Sequence, residues 1–241
     1  MAVRIDGRAP DDLRPVRIVP GYLLYAEGSV LIEMGNTRLL CAVSVEERVP
    51  SFLTGMGRGW VTAEYAMLPR STLTRTPRDV QGRERGRTSE IQRLIGRALR
   101  AGVDLEALGE RTFIVDCDVL QADGGTRTAA ITGGYVALYQ AFLNLLKRDV
   151  LHTLPIRSAV AAVSVGLVDG DLLLDLCYEE DFRAQVDCTL VMNERGELIE
   201  VHSATEGAPF SRSTLERLLA LGEQGIQRLL AIQGQAIQAL R

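Results

Sequence analysis

The sequence predicts an α+β protein built of layered sheets and helices. Three observations carry that prediction. The elements run strands, helix, strand, helix, strands, helix; both halves of the chain share a strands-then-helix plan; and turn signals separate the apolar segments at short intervals. With 241 residues, 46% of them hydrophobic, the chain can bury a sizeable core. It reads as one unit over 1–241 with pseudo-repeat halves at about 1–150 and 151–241.

Residues 16–47 read as strands, VRIV and then GYLLYAEGSVLIEMGNTRLLCAVSVEE, with turn signals at Glu27-Gly28 and Gly35-Asn36 that favour antiparallel hairpins. GWVTAEYAML at 59–68 reads as a further strand. Residues 69–86, rich in Arg, Thr, Gly and Pro, read as a long loop, a length usually tied to function or mobility. Ser89 and Gln92 have capping-box spacing, and Ile91, Leu94, Ile95, Ala98 and Leu99 then share one helical face. Phe113, Val115, Cys117 and Val119 alternate as in a strand. Residues 128–146 read as a helix whose Ala129, Ala130, Gly133 and Gly134 allow close packing. The second half continues with SAVAAVSVGLV, a turn at Asp169-Gly170, DLLLDLCY, a strand over about 184–192, a turn at 194–196 and ELIEVHSA. Ser213 and Glu216 then have the spacing to cap a C-terminal helix with leucines at 215, 218, 219 and 221.

Composition narrows the function classes. The start, MAVRIDGRAPDD, has no apolar signal core, and the longest uncharged apolar run, AVAAVSVGLV at 159–168, falls short of the roughly 20 residues of a membrane span. A cytoplasmic protein with no membrane partner is expected. Cys41, Cys117, Cys177 and Cys188 form no CxxC pair and lie in apolar or alternating segments, so they read as reduced core residues. With only His152 and His202 to assist them, both read as structural or surface histidines, no zinc site is expected. Net charge is −4, yet residues 58–100 hold ten arginines against four acidic residues, a local +6. Lys147 is the single lysine, so the basic charge is nearly all guanidinium, which grips phosphate bidentately. A polyanionic partner and a merely solvated basic face both fit this window.

Two constellations carry chemistry. In DCDVLQADGGTRTAAITGGY, residues 116–135, a strand gives way to a helix through Gly124, Gly125, Thr126 and Arg127. Glycines there admit close backbone approach, the first helical amides lack partners, and the helix dipole, hydroxyl and guanidinium all favour an anion such as phosphate. Taken alone, so short a turn is equally a device of backbone geometry. It is not the GxxxxGK[ST] loop, so ATP is not implied. The second constellation, DLCYEEDFRAQVD at 175–187, holds Asp175, Glu179, Glu180, Asp181 and Asp187. Such carboxylates can bind a hard divalent cation or act as general acid or base. Six residues of straight strand span about 20 Å, so Asp181 and Asp187 can share an ion only if the chain bends between them. Without the bend the segment is an exposed acidic loop.

Blocks spread over nearly the whole length resemble the ribonuclease PH family of bacterial phosphorolytic exoribonucleases, which trim the 3′ ends of tRNA precursors: RIDGRAPDDLRPV, AEGSVLIEMGNT, GWVTAEYAMLPR, GRTSEIQRLIGRALR, CDVLQADGGTRTAAITGG, VAAVSVGLVDG, LDLCYEED with a later VD, and TEGAPFS. The resemblance implies a phosphorolytic nuclease core of two related β-α-β type halves, with layered mixed sheets packed with helices, in a homohexameric ring of three dimers. It implies inorganic phosphate as co-substrate, held by Arg87, Gly125, Thr126 and Arg127. Asp181 and Asp187 are implied as catalytic and metal-binding residues for Mg2+ or Mn2+. Arg70, Arg75 and Arg78 resemble the tRNA-contacting set, so tRNA precursors and other RNA 3′ ends are the implied partners. The implied reaction, RNA(n) plus phosphate giving RNA(n−1) plus a nucleoside diphosphate, is reversible. Two alternatives stand beside it: a catalytically silent RNA-binding ring subunit, which would lack Arg127, Asp181 or Asp187, and a two-metal hydrolytic nuclease, which would need no pocket for a free anion. The chain departs from the family pattern at Phe182, where a small polar residue is common, and at Cys188-Thr189, which replaces Met-Asn.

Overall fold

The computed structural model describes residues 4–78, 86–205 and 207–240. A five-stranded sheet comprises β1 (Val16–Pro20), β2 (Gly28–Met34), β3 (Thr37–Glu46), β4 (Trp60–Met67) and β5 (Thr112–Gln121), in the order β1-β2-β3-β5-β4. Only the β4–β5 pair is parallel, and the crossover that a parallel pair needs is supplied by α1 (Gly86–Ala101). The second half builds a four-stranded antiparallel sheet from β6 (Val160–Val168), β7 (Asp171–Leu174), β8 (Val186–Asn193) and β9 (Leu198–Ala204), ordered β7-β6-β8-β9. Helices α2 (Thr126–Lys147), α3 (Tyr178–Arg183) and α4 (Arg212–Gln238) complete the fold. Strands, helices and their order make it the expected α+β architecture.

Helix α2 joins the two halves. It packs on β2 and β3 of the first sheet and on β6 of the second, so it is apolar around nearly its whole circumference. Its length and composition would allow a membrane span, and its uncharged stretch exceeds the run at 159–168, but 78% of its most apolar window is buried inside the protein. A Cβ on Gly133 would sit 2.7 Å from Ile32 Cγ2, so close helix-to-sheet approach requires glycine there. Thr132 Oγ1 accepts from the Ala162 amide at 3.2 Å, tying the helix to β6. Helix α4 covers β6, β7 and β8, reaches β1, and sends the Gln233 amide to the carbonyls of Thr132 and Val160. All four cysteines are free and buried, as their apolar settings predict.

Several local expectations are corrected. Residues 21–27 form a loop and not strand: Gly21 has φ +70, Gln140 Oε1 accepts from the Gly21 and Ser29 amides, and Leu24 and Tyr25 project into solvent. Gly28 therefore opens β2, whereas Gly35-Asn36 does form the two-residue hairpin turn. Ser89 lies inside α1, and Gln92 donates to Glu64 Oε2 on β4 at 2.7 Å in place of a capping bond. The cap of α4 is Ser211, whose extended backbone lets its hydroxyl accept from the Thr214 amide; Glu216 instead pairs with Arg212. The strand reading of 171–178 stops at Leu174, because Asp175 adopts φ +53 and turns the chain into α3. Of the long arginine-rich loop, residues 69–78 have no regular structure, while Asp79, Arg83, Glu84 and Arg85 lie outside the described residues.

Asp175 is fully buried and draws three remote segments together. Arg14 grips it in a bidentate pair, Nε to Oδ2 at 3.0 Å and Nη2 to Oδ1 at 2.7 Å, and the Arg14 amide also donates to Oδ2. Burial alone would lower the Arg14 pKa, but the Asp175 charge leaves it raised, so the cation is secure. Arg4 donates to both Glu180 oxygens, at 2.8 and 2.7 Å, and to the Asp175 carbonyl. Removing one partner from a buried pair costs about 3–5 kcal/mol. Asp175→Ala should lose that much in urea unfolding; Asp175→Asn, which tolerates the left-handed backbone and keeps one acceptor, should lose less. Burial raises the Glu180 pKa, but the hydrogen bonds from Arg4 outweigh it and hold the carboxyl low. Its contribution to stability should be complete above the unfolded-state value and vanish as pH falls through the folded one. Glu180→Gln should remove that component from the acid-unfolding curve.

Candidate active site

The strand-to-helix junction at the end of β5 is shaped by two consecutive glycines in the left-handed region, Gly124 at φ +73 and Gly125 at φ +65. Thr37 braces the turn, accepting from the Asp123 amide at 2.9 Å and donating to the Gly124 carbonyl at 2.7 Å. Arg14 donates to the Asp123 carbonyl from behind. Gly125 is the N-cap of α2 and has no side chain with which to cap it, so the first turn of a 22-residue helix presents its amides to the cleft. Thr126 Oγ1 shares a 2.8 Å hydrogen bond with the Tyr65 hydroxyl from β4.

The acidic segment closes over this turn. A Cβ on Gly124 would lie 2.5 Å from the Leu176 carbonyl oxygen and 2.7 Å from the Cys177 carbonyl carbon, so only glycine lets the segment approach. The Tyr178 amide donates to Asp123 Oδ1 at 3.1 Å, fastening the start of α3 to the same turn. The chain does bend between the aspartates, leaving the six-residue α3 after Arg183 and entering β8 at Val186. Asp181 lies on α3 and Asp187 near the start of β8.

Asp181, Asp187, Arg87 and Arg127 fall within electrostatic reach of one another. Asp181 stands exposed at the cleft mouth, yet the surrounding protein removes enough water to push its pKa up; the Asp187 charge pushes it further, and Arg127 and Arg87 pull it back. The half-buried Asp187 is also pushed up by burial, with Arg127, then His202, then Arg87 opposing. Tyr65 is raised by burial, partly offset by its bond to Thr126 and by both arginines. Neither Arg87 nor Arg127 makes a side-chain hydrogen bond or ion pair among the described residues, so two guanidiniums face the cleft with capacity to bind an anion.

Arg70, Arg75 and Arg78 are exposed and line, with Leu68 and Pro69, an open depression of about 380 Å3. Their loop leaves from beside the anion turn, where the Ala122 amide donates to the Ser71 carbonyl at 2.8 Å. Sequence reasoning missed Tyr65, Thr37, Arg14 and Asp175 as supports of the site, although all four lie inside quoted blocks. His202 is exposed, as its reading as a surface histidine expects, and it lies within electrostatic reach of Asp187.

A glycine turn at a helix N-terminus, two arginines and two carboxylates gathered in one cleft of an α+β fold are the features of an enzyme that handles phosphoryl groups. The sequence matches the 3′ exoribonuclease family, domain 1 over residues 12–144 and domain 2 over residues 158–225. It is 59% identical to the ribonuclease PH of Dehalococcoides mccartyi strain CBDB1 over 95% of this chain and 96% of that one, and 56% identical to that of Syntrophomonas wolfei over 95% and 97%. Among solved structures, the Archaeoglobus fulgidus exosome with RNA bound to the active site superposes with a TM-score of 0.80 at 23% identity, covering 95% of this chain and 91% of that one. Rice Rrp46 gives a TM-score of 0.78 at 20% identity, over 99% and 100%. These two show the fold alone. The chain belongs to the ribonuclease PH family and is a phosphorolytic 3′-to-5′ exoribonuclease.

Two outcomes follow. Gly124→Ala must shift the 176–178 backbone and hold a left-handed alanine, so it should cost at least about 1–3 kcal/mol in denaturant unfolding and weaken anion binding with it. Folding raises the Asp187 pKa, so the charged carboxylate opposes folding; the penalty is absent below the unfolded-state value and complete above the folded one. Asp187→Asn should therefore raise the Tm of the free protein at pH 7 and lose that advantage in acid.

Proposed function

We propose that the cleft between the GGTR turn and α3 is the phosphorolytic centre, with Gly125, Thr126, Arg127 and Arg87 holding inorganic phosphate and Asp181 and Asp187 facing the scissile phosphodiester. The observation that carries this reading is that Arg127 and Arg87 act on both carboxylates of a mutually repelling pair. Attack by one anion on another is opposed by charge, and the guanidiniums and helix amides offset that opposition for the nucleophile. A phosphate oxygen bonds to the phosphorus as the bond to the 3′ oxygen breaks, leaving RNA shortened by one nucleotide and a nucleoside 5′-diphosphate. One phosphoryl linkage replaces another, so the reverse addition is accessible. Asp187, the more enclosed aspartate, is assigned to hand a proton to the departing 3′ oxygen; its raised pKa suits that task.

The donor set fits Mg2+ or Mn2+. Two carboxylates with no third His, Cys, Asp or Glu grouped beside them among the described residues suit an ion that keeps waters and takes substrate phosphate oxygens. Bound there, such an ion would neutralise charge on the transferring phosphoryl group.

The substrates are taken to be tRNA precursors and other RNA 3′ ends, guided by Arg70, Arg75 and Arg78 beside the cleft. One domain over 1–241 is favoured because both halves contribute to a single site. A homohexameric ring of three dimers accords with the fold shared with an archaeal exosome core, TM-score 0.75, and with the exposed Leu24 and Tyr25. Four free, buried thiols accord with a cytoplasmic location. A silent RNA-binding subunit is not favoured, since Arg127, Asp181 and Asp187 are all present in one cleft.

A labelled tRNA precursor should shorten only with added phosphate and release nucleoside diphosphates. Monophosphates released without phosphate would instead establish hydrolysis. Arg127→Ala should raise the KM for phosphate by at least about tenfold, the worth of a charge-assisted hydrogen bond. Asp187→Asn should lose about a hundredfold or more in kcat while retaining RNA binding; an undiminished rate would remove its role. Because the Asp181 pKa is raised, activity that needs this carboxylate ionised should fall on the acid side at a pH above the ordinary aspartate value, whereas activity that needs Asp187 protonated should fall on the alkaline side.

A further inference from the structure

Helix α3 carries a feature that the proposed chemistry leaves unused. Tyr178 and Phe182, four residues apart, bring their rings to a centroid separation of 6.3 Å with planes 29° apart. They are 59% and 80% exposed, so neither serves the core. Asp181 is three residues beyond Tyr178 and adjacent to Phe182, which sets the carboxylate at the border of the same helical flank as the rings. The helix is held in place by Arg4 on Glu180, by the Tyr178 amide on Asp123 of the anion turn, and by Arg183 on Asp169. The two rings therefore form a fixed apolar ledge at the edge of the cleft.

We infer that the Tyr178–Phe182 ledge stacks a nucleobase of the RNA strand next to the scissile phosphodiester. This rests on the reading of the cleft as the phosphorolytic centre. A strand whose phosphodiester lies at Asp181 must carry its neighbouring base past rings that flank that carboxylate. Every base has a π-face, so an aromatic ledge grips the strand without reading its sequence, which suits an enzyme that removes nucleotides in succession. The backbone charge is met elsewhere, by the exposed Arg70, Arg75 and Arg78, leaving the neutral base for the rings.

The test separates the ledge from the chemistry. Without phosphate no phosphorolysis occurs, and binding of a short oligoadenylate can be measured alone. Phe182→Ala and Phe182→Leu should each bind it about tenfold more weakly than the native protein, the scale of one base–aromatic stack. Phe182→Trp should bind at least as tightly, and the added indole, read against native Trp60, should change its emission on binding. With phosphate, Phe182→Ala should raise the KM for RNA by a similar factor, leave the KM for phosphate unchanged and still release diphosphates. Unchanged affinity in both the Ala and Leu variants, or indole emission indifferent to saturating RNA, would overturn the ledge. Absence of diphosphate release by the native protein would defeat the activity reading, whereas the emission measurement would still report on stacking.

Discussion

The buried grip of Arg14 on Asp175 holds this molecule in its working form. Arg14 precedes the first strand, Asp175 follows the seventh, and the same guanidinium donates to the Asp123 carbonyl of the anion turn. Three segments far apart in sequence thus meet at one ion pair shielded from water. The desolvation cost is offset because both carboxylate oxygens and the Arg14 amide take part in the pairing. The Arg4–Glu180 pair repeats the arrangement inside α3. Both cations belong to the RIDGRAPDDLRPV stretch, so the N-terminal segment works as a strap between the halves.

That strap gives the cleft its electrostatic character. It satisfies two carboxylates of the acidic segment, Asp175 and Glu180, and leaves Asp181 and Asp187 without such partners. Glu180 is held low while the two unstrapped aspartates are pushed up. One short stretch therefore holds acids of opposite tendency, and the difference lies in which arginines reach them. Structural arginines come from the N-terminus; the arginines facing the cleft come from α1 and α2.

Periodicity made the α+β plan legible because most strands and helices here have one dry face. The apolar face of α1, the alternation of β5 and the Gly35-Asn36 hairpin all carry local signals strong enough to read. Helix starts were less legible: Ser213 and Ser211 are chemically equivalent, and the backbone angles that decide between them depend on how the chain enters from residues 207–210. The strand reading of residues 171–178 failed at Asp175 because tertiary pairing holds its backbone left-handed, against local preference. Of the site, the glycine turn and the aspartates stood out by residue type. Tyr65 and Thr37 did not, since in sequence each is an ordinary member of an alternating strand.

Helix α2 belongs at once to both sheets and to the anion turn, and Thr132 and Gly133 leave it no slack. Its first turn is consequently a stationary jaw: moving it would prise apart the whole interior. Helix α3, six residues long, is fastened to the anion turn by the Tyr178 amide on Asp123, and it bears Asp181. The spacing across the cleft is thus inherited from the packing of α2 between the sheets, and α3 takes its position from that junction.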